Sequence, residues 1–158
     1  MGKTYLHKIL RDAKAINKYT AEGRELIHKN LQNIDMSMVH ALMRNPIKGT
    51  TIEYNDNRIS LYVAQKGRCA ITKEPLSIEA IHCHHKIPKS KGGGDEYANL
   101  IVLDKRIHQL IHATDSETIA VLSSNFKLKK QQIEKLNKLR LLVGNEEIVF
   151  NAEKETVN

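Results

Sequence analysis

Tryptophan is missing from this 158-residue chain, phenylalanine and cysteine occur twice each, and proline three times. With so few large aromatics the core has to be built from aliphatic side chains, and an apolar content of 41% allows a thin one. At this length one domain is expected, or one compact domain with a small helical appendage. Two cysteines, Cys69 and Cys83, are too few for a disulfide scaffold and read as free thiols in a reducing compartment. No apolar run approaches the ~20 residues of a spanning helix, and no signal-peptide pattern opens the chain, so a cytoplasmic protein without membrane partners is expected. Met1-Gly2 lacks the Ser or Thr that myristoylation would want, since Leu6 stands there. Acidic residues are outnumbered: 18 Asp and Glu against 25 Lys and Arg leave a net charge of +7 and a pI near 9.4. That balance favours polyanions, nucleic acid ahead of an anionic membrane surface.

Two fragments of known motifs carry nothing. Gly2-Lys3-Thr4 has the end of a phosphate-binding loop without the upstream glycine that builds it. Tyr54-Asn55-Asp56-Asn57 has the outline of a polymerase Y-x-D-D box without its second aspartate, and Asp56 is read instead as a helix cap.

Most of the chain reads as helix. Residues 4–18 place Leu6, Ile9, Leu10, Ala13 and Ile16 on one face, and His7, Arg11, Lys14 and Lys18 on another. This basic stripe either tracks a phosphate backbone or is merely solvated. Thr20 caps a second helix reaching Asn30, and a third runs from Ser37 to Met43. Asn45-Pro46 stops that one, because proline disfavours helix at the residue before it. Residues 49–54 read as a loop with at most one strand, residues 57–66 as a helix closed by Gly67, and Cys69 to Thr72 as a short strand and turn. Beyond Ala113, Thr114-Asp115-Ser116-Glu117 is a capping box for a helix to Ser124. Leu128 to Val143 is a longer helix ended by Gly144, and 151–158 a polar tail.

The histidines break this pattern. Five of the eight lie between positions 82 and 112, among β-branched residues and then on a short helix. His108 and His112 are four apart, so their rings leave one helix face a turn apart and can share a metal ion. A third ligand must come from elsewhere, and His84 is the obvious candidate. His85 beside it, with an ordinary pKa near ~6.5, suits a general base acting on water. Neighbouring strand residues face opposite ways, so both serve one site only if the strand ends or curls, as Pro88 and the Gly92-Gly93-Gly94 loop allow. Asn99 can bond across that loop and hold it, and with it the base. Lys86, Lys89 and Lys91 line the loop and can meet phosphates, while Asp104 caps the metal helix. The chemistry expected is metal-assisted phosphodiester hydrolysis, with a single ion stabilising charge on phosphate oxygens. A structural zinc held by Cys69, Cys83 and two histidines is the rival metal reading.

His-His, an asparagine 14 residues on, a histidine nine later and another four after that resembles the HNH, or ββα-metal, nuclease motif, colicin DNases included. The resemblance implies His84, His108 and His112 as ligands, His85 as base and Asn99 as the middle residue of the motif. Asn57 to Tyr62, Cys69-Ala70-Ile71-Thr72, His84 to Lys89, Gly92-Gly93, Asn99-Leu100, His108 to Thr114 and Asn137 to Arg140 also resemble the C-terminal endonuclease region of bacterial group II intron reverse transcriptase/maturase proteins. That likeness implies a nuclease that nicks one strand of double-stranded DNA, with intron RNA as a further partner, in a bacterial, nucleoid-associated setting. Two departures stand out. No polymerase domain is present, so the chain reads as a fragment or a truncated gene, and Thr72 occupies the place of a cysteine that a zinc ribbon would need.

The expected architecture is α+β, a ββα-metal core with helical flanks. Residues 1–56 form a helical basic segment that resembles the DNA-binding region preceding the maturase nuclease, 57–114 the nuclease, 115–150 C-terminal helices packed on it, and 151–158 a tail. The expected cofactor is one divalent ion, Mg2+ first, with Zn2+, Mn2+ or Ni2+ as alternatives. The competing function is a catalytically silent nucleic-acid-binding fragment of a maturase.

Overall fold

The fold is described from a computed structural model, over residues 34–150. The helices expected over 4–18 and 20–30, with Arg11, Lys14 and Lys18, and the tail 151–158 lie outside the described residues.

Helix α1 (Met36–Arg44) starts where the Asp35 carboxylate accepts from the Ser37 amide at 2.9 Å, and buries Val39 and Leu42. Its C-terminal carbonyls receive an unusual partner: Arg58, itself buried, donates from Nη2 to the oxygens of Leu42 (3.1 Å) and Asn45 (2.9 Å).

Helix α2 (Ile52–Ala64) begins five residues before the expected start at 57. The Thr50-Thr51-Ile52 run reads as β-branched strand material, but the Thr51 hydroxyl accepts from the Tyr54 amide at 3.0 Å and starts a helix there. Asp56 therefore lies inside α2, and the N-cap is Thr51 instead. Gly67, at φ +69, lets the chain leave the helix, as its position implies. The expected strand at 69–72 is instead a tight turn with a single bridge between Arg68 and Pro75. Lys73 sits at φ +65, and the Cys69 amide bonds back to Glu74.

Strands β1 (Ile81–His85) and β2 (Leu100–Asp104) pair antiparallel, with His84 opposite Ile101 and His85 opposite Leu100. The outer edge of β2 is not left open. The Gln65 amide donates to the Val102 carbonyl (2.8 Å) and accepts from its N–H (3.1 Å), closing the edge as another strand would. Asp104 ends β2 and caps α3 (Lys105–His112) through the Arg106 amide at 2.8 Å.

Helix α3 lies on the hairpin, with α4 (Ser116–Ser124) and α5 (Lys130–Val143) on its other side. The cap of α4 is Asp115, accepting from Thr118, rather than Thr114 one residue earlier. Helix α5 opens at Lys130, two residues later than expected, because the Gln132 side chain accepts from the Lys129 amide. Val102, Leu103, Ile107, Leu110, Ile111 and Leu136 are wholly buried, so one aliphatic core runs from the hairpin through α3 into α5. The architecture is α+β, a two-stranded ββα core with helices around it. Among the described residues no helix is long and apolar enough to cross a membrane.

Candidate active site

Strand alternation decides which histidines meet. His82 and His84 leave β1 on the face covered by α3, while Cys83 between them is buried on the other. From α3, His108 and His112 project back at one-turn spacing. Ligand atoms of His84, His108 and His112 lie within 4.8 Å of one another, and neither cysteine joins them. Ring centroids of His84 are 5.2 Å from His108 and 5.4 Å from His112.

The interior member of this cluster is unsatisfied. His84 is 2% exposed, and its Nε2 has no hydrogen-bond partner. A buried imidazole nitrogen left without a partner costs stability unless something else fills its lone pair. Burial, reinforced by His112, His82 and His85, pushes its pKa down to about 3, and burial with His82, His84 and His112 does the same at His108. Burial also lowers His82 and His112, the nearby Arg140 charge adding to it at His112. At neutral pH the cluster is therefore a set of uncharged imidazoles with lone pairs converging. These residues fit a divalent ion, and three protein ligands leave a coordination position open.

His82 was not singled out from the sequence, yet its ring stacks on His108 with centroids 3.6 Å apart and planes 24° apart. His108 thus has His82 stacked on it and His84 edge-on at 5.2 Å. The signal was present in the sequence: two residues before His84 on a strand means the same face.

His85 ends β1 and turns the other way. Its ring stacks on Tyr54 of α2, centroids 5.3 Å apart, and its side chain keeps 21% of its surface open. Nε2 lies 2.7 Å from Oδ1 of Asp95, a residue the sequence did not single out. The Asp95 carboxylate also accepts from the Thr51 hydroxyl at 2.6 Å and from the Lys89 ammonium at 3.3 Å, with a 3.1 Å approach to its other oxygen. Bonds from Thr51 and His85, then Lys89, hold its pKa down to about 2. An ionised carboxylate can only accept, so Nε2 of His85 is the donor in this bond, and the tautomer of the neutral ring that it selects has its lone pair on Nδ1.

Asn99 is buried at the foot of β2. Its amide accepts from the Ile87 N–H (2.9 Å) and donates to the carbonyls of Ile87 (3.0 Å) and Gly94 (2.9 Å), tying both limbs of the loop together. Gly93 must be glycine for this: a Cβ there would meet the Ile87 oxygen at 1.8 Å and the Asn99 amide at 2.8 Å. The ammonium of Lys86 bonds to the Ala98 carbonyl at 2.8 Å, Lys89 is shared with Asp95, and Lys91 reaches towards Gly144 at the end of α5.

Compared with known families, residues 67–114 match the family described as HNH endonuclease. The match takes in β1, the Asn99 loop, β2 and α3, which carry the five histidines, Asp95 and Asn99; Thr51 and Tyr54 lie before it. No curated protein and no solved structure matches the chain.

Proposed function

We propose that this chain is a divalent-metal-dependent DNA endonuclease that hydrolyses a phosphodiester by the action of His85 on water. The HNH family match supports a nuclease in general, and DNA as the polymer. The observation that carries the finer reading is the convergence of three neutral imidazoles, one with an orphaned buried nitrogen, next in sequence to a histidine oriented by a carboxylate.

His84, His108 and His112 would hold the ion, which supplies positive charge for the phosphate oxygens when bound. Three imidazole donors without a carboxylate suit Zn2+ or Ni2+, while Mg2+, the first expectation from the sequence, prefers oxygen ligands, and the chemistry of the donors favours the former pair. As the water oxygen bonds to phosphorus, Nδ1 of His85 accepts its proton, and the P–O bond to the leaving sugar oxygen breaks, that oxygen taking a proton from solvent. Asp95 keeps the opposite nitrogen protonated and stabilises the imidazolium that forms. Asn99 fixes the loop from which Asp95 projects. Lys89 and Lys91 are exposed on that loop, where a phosphate backbone can approach. The resemblance of residues 57–114 to maturase endonucleases supports the narrower reading, a nicking activity belonging to a group II intron protein with intron RNA as partner.

Conversion of supercoiled plasmid to nicked circle tests this. Nicking should require Zn2+, Ni2+, Mn2+ or Mg2+, stop on chelation, and fall by about a hundredfold or more in His85→Ala with the fold intact. DNA binding without cleavage under all four ions would leave a nucleic-acid-binding module in its place.

A further inference from the structure

At its C-terminus helix α3 is closed locally by a single bond, from the Ala113 amide to the Gln109 carbonyl. Ala113 is extended and the chain leaves for α4, so the carbonyls beyond Gln109, in the turn that carries His112, would be unpaired. They are satisfied from 30 residues downstream. Arg140 of α5, 2% exposed, places Nη1 against the carbonyl oxygens of Leu110, Ile111 (3.3 Å) and Ala113 (2.9 Å), while Nε donates to the backbone carbonyl of Glu146 at 2.7 Å. Asn145 donates a second bond to the Ile111 carbonyl at 2.8 Å. Gly144 at φ +95 makes this possible: it reverses the chain at the end of α5 and returns Asn145 to α3.

We propose that Arg140, with Asn145 in support, is a positioning residue for the metal centre, fixing the last turn of α3 so that His112 stays turned towards His84 and His108. The guanidinium grips the carbonyls on both sides of His112 in sequence, at 111 and 113. A helix terminus normally frays, and a ligand in its final turn would share that motion. A buried cation on the carbonyl end of the helix also opposes the negative end of its dipole. Both residues lie outside the 67–114 family match, so the centre depends on a part of the chain that the match does not include. This inference rests on the three-histidine reading given above.

The test is Co2+ titration of the full chain, followed by the visible absorption of the bound ion, with circular dichroism to check folding. The wild type should bind, and His108→Ala should abolish the signal. If the wild type shows no Co2+ spectrum, or His108→Ala leaves it unchanged, the histidine site itself fails, and the Arg140 role with it. With that control passed, Arg140→Met should weaken Co2+ binding roughly tenfold to hundredfold and broaden the spectrum, the size seen for outer-shell residues that orient ligands. Leu139→Ala, which thins the packing of α5 without touching the α3 carbonyls, should leave affinity within about twofold. Folded Arg140→Met with wild-type affinity overturns the proposal, as does an equal loss in Leu139→Ala. If Arg140→Met does not fold, Asn145→Ala decides: a severalfold weaker ion supports the role, and unchanged affinity removes it.

Discussion

Asp95 and His85 make the sharpest single-residue claim. A histidine general base needs its lone pair aimed at water and its other nitrogen protonated, and the ionised Asp95 carboxylate enforces that tautomer at 2.7 Å. In Asp95→Asn the amide can donate to Nε2 instead, which moves the ring proton to Nδ1 and blocks the base. The expected result is a kcat about a hundredfold to ten-thousandfold lower, with KM for DNA little changed. Steady-state nicking kinetics check it, and a KM effect alone would mean that Asp95 serves Lys89 and the DNA surface rather than the base. The sequence named His85 through its neighbours and spacing. It could not name Asp95, because an aspartate in a glycine-rich loop has the look of any turn residue. What singles it out is the Thr51 hydroxyl from a helix 44 residues upstream.

At the level of elements, the hairpin and α3 were legible because their signals are local. Alternation along β1, one-turn spacing on α3 and the Asp104 cap each depend on a few adjacent residues. The start of α2 was missed because strand propensity in Thr50-Thr51-Ile52 points one way and a single capping bond the other, and the cap prevailed. The joined hairpin and helix carry a testable consequence for pH. In the folded, metal-free protein His84 and His108 hold out against protonation down to about 3, with His82 and His112 also lowered. In the unfolded chain the same groups take up protons near ~6.5. Below that value the unfolded state binds more protons, so stability is complete above it and is lost as the pH falls towards 3. Thermal melts of chelated protein should show Tm dropping from about pH 6.5 downwards, before carboxylates titrate near ~4. His108→Asn should flatten that slope, and a Tm constant between about pH 7 and 5 would contradict the buried, uncharged cluster.

For the whole molecule the question is whether the ion holds the fold or only uses it. The aliphatic core passes from α1 and α2 through β2 and α3 to α5 without involving the histidine cluster, and both cysteines are buried away from it as free thiols. A zinc module of this size would show the reverse, a small core with thiolates converging on the ion. The helices that complete the core lie at 36–64 and 130–143, outside the matched segment, and their contribution could not be read from local pattern because it consists of contacts between distant residues. Chelation should therefore abolish nicking while far-UV dichroism and a cooperative transition persist. An ion at a hundred times its Kd adds about 2.7 kcal/mol by mass action, so its removal should lower Tm by roughly 8 °C for a chain of this length. Complete unfolding on chelation, with Cys69→Ser releasing the metal, would make the ion a structural zinc and the nuclease reading untenable.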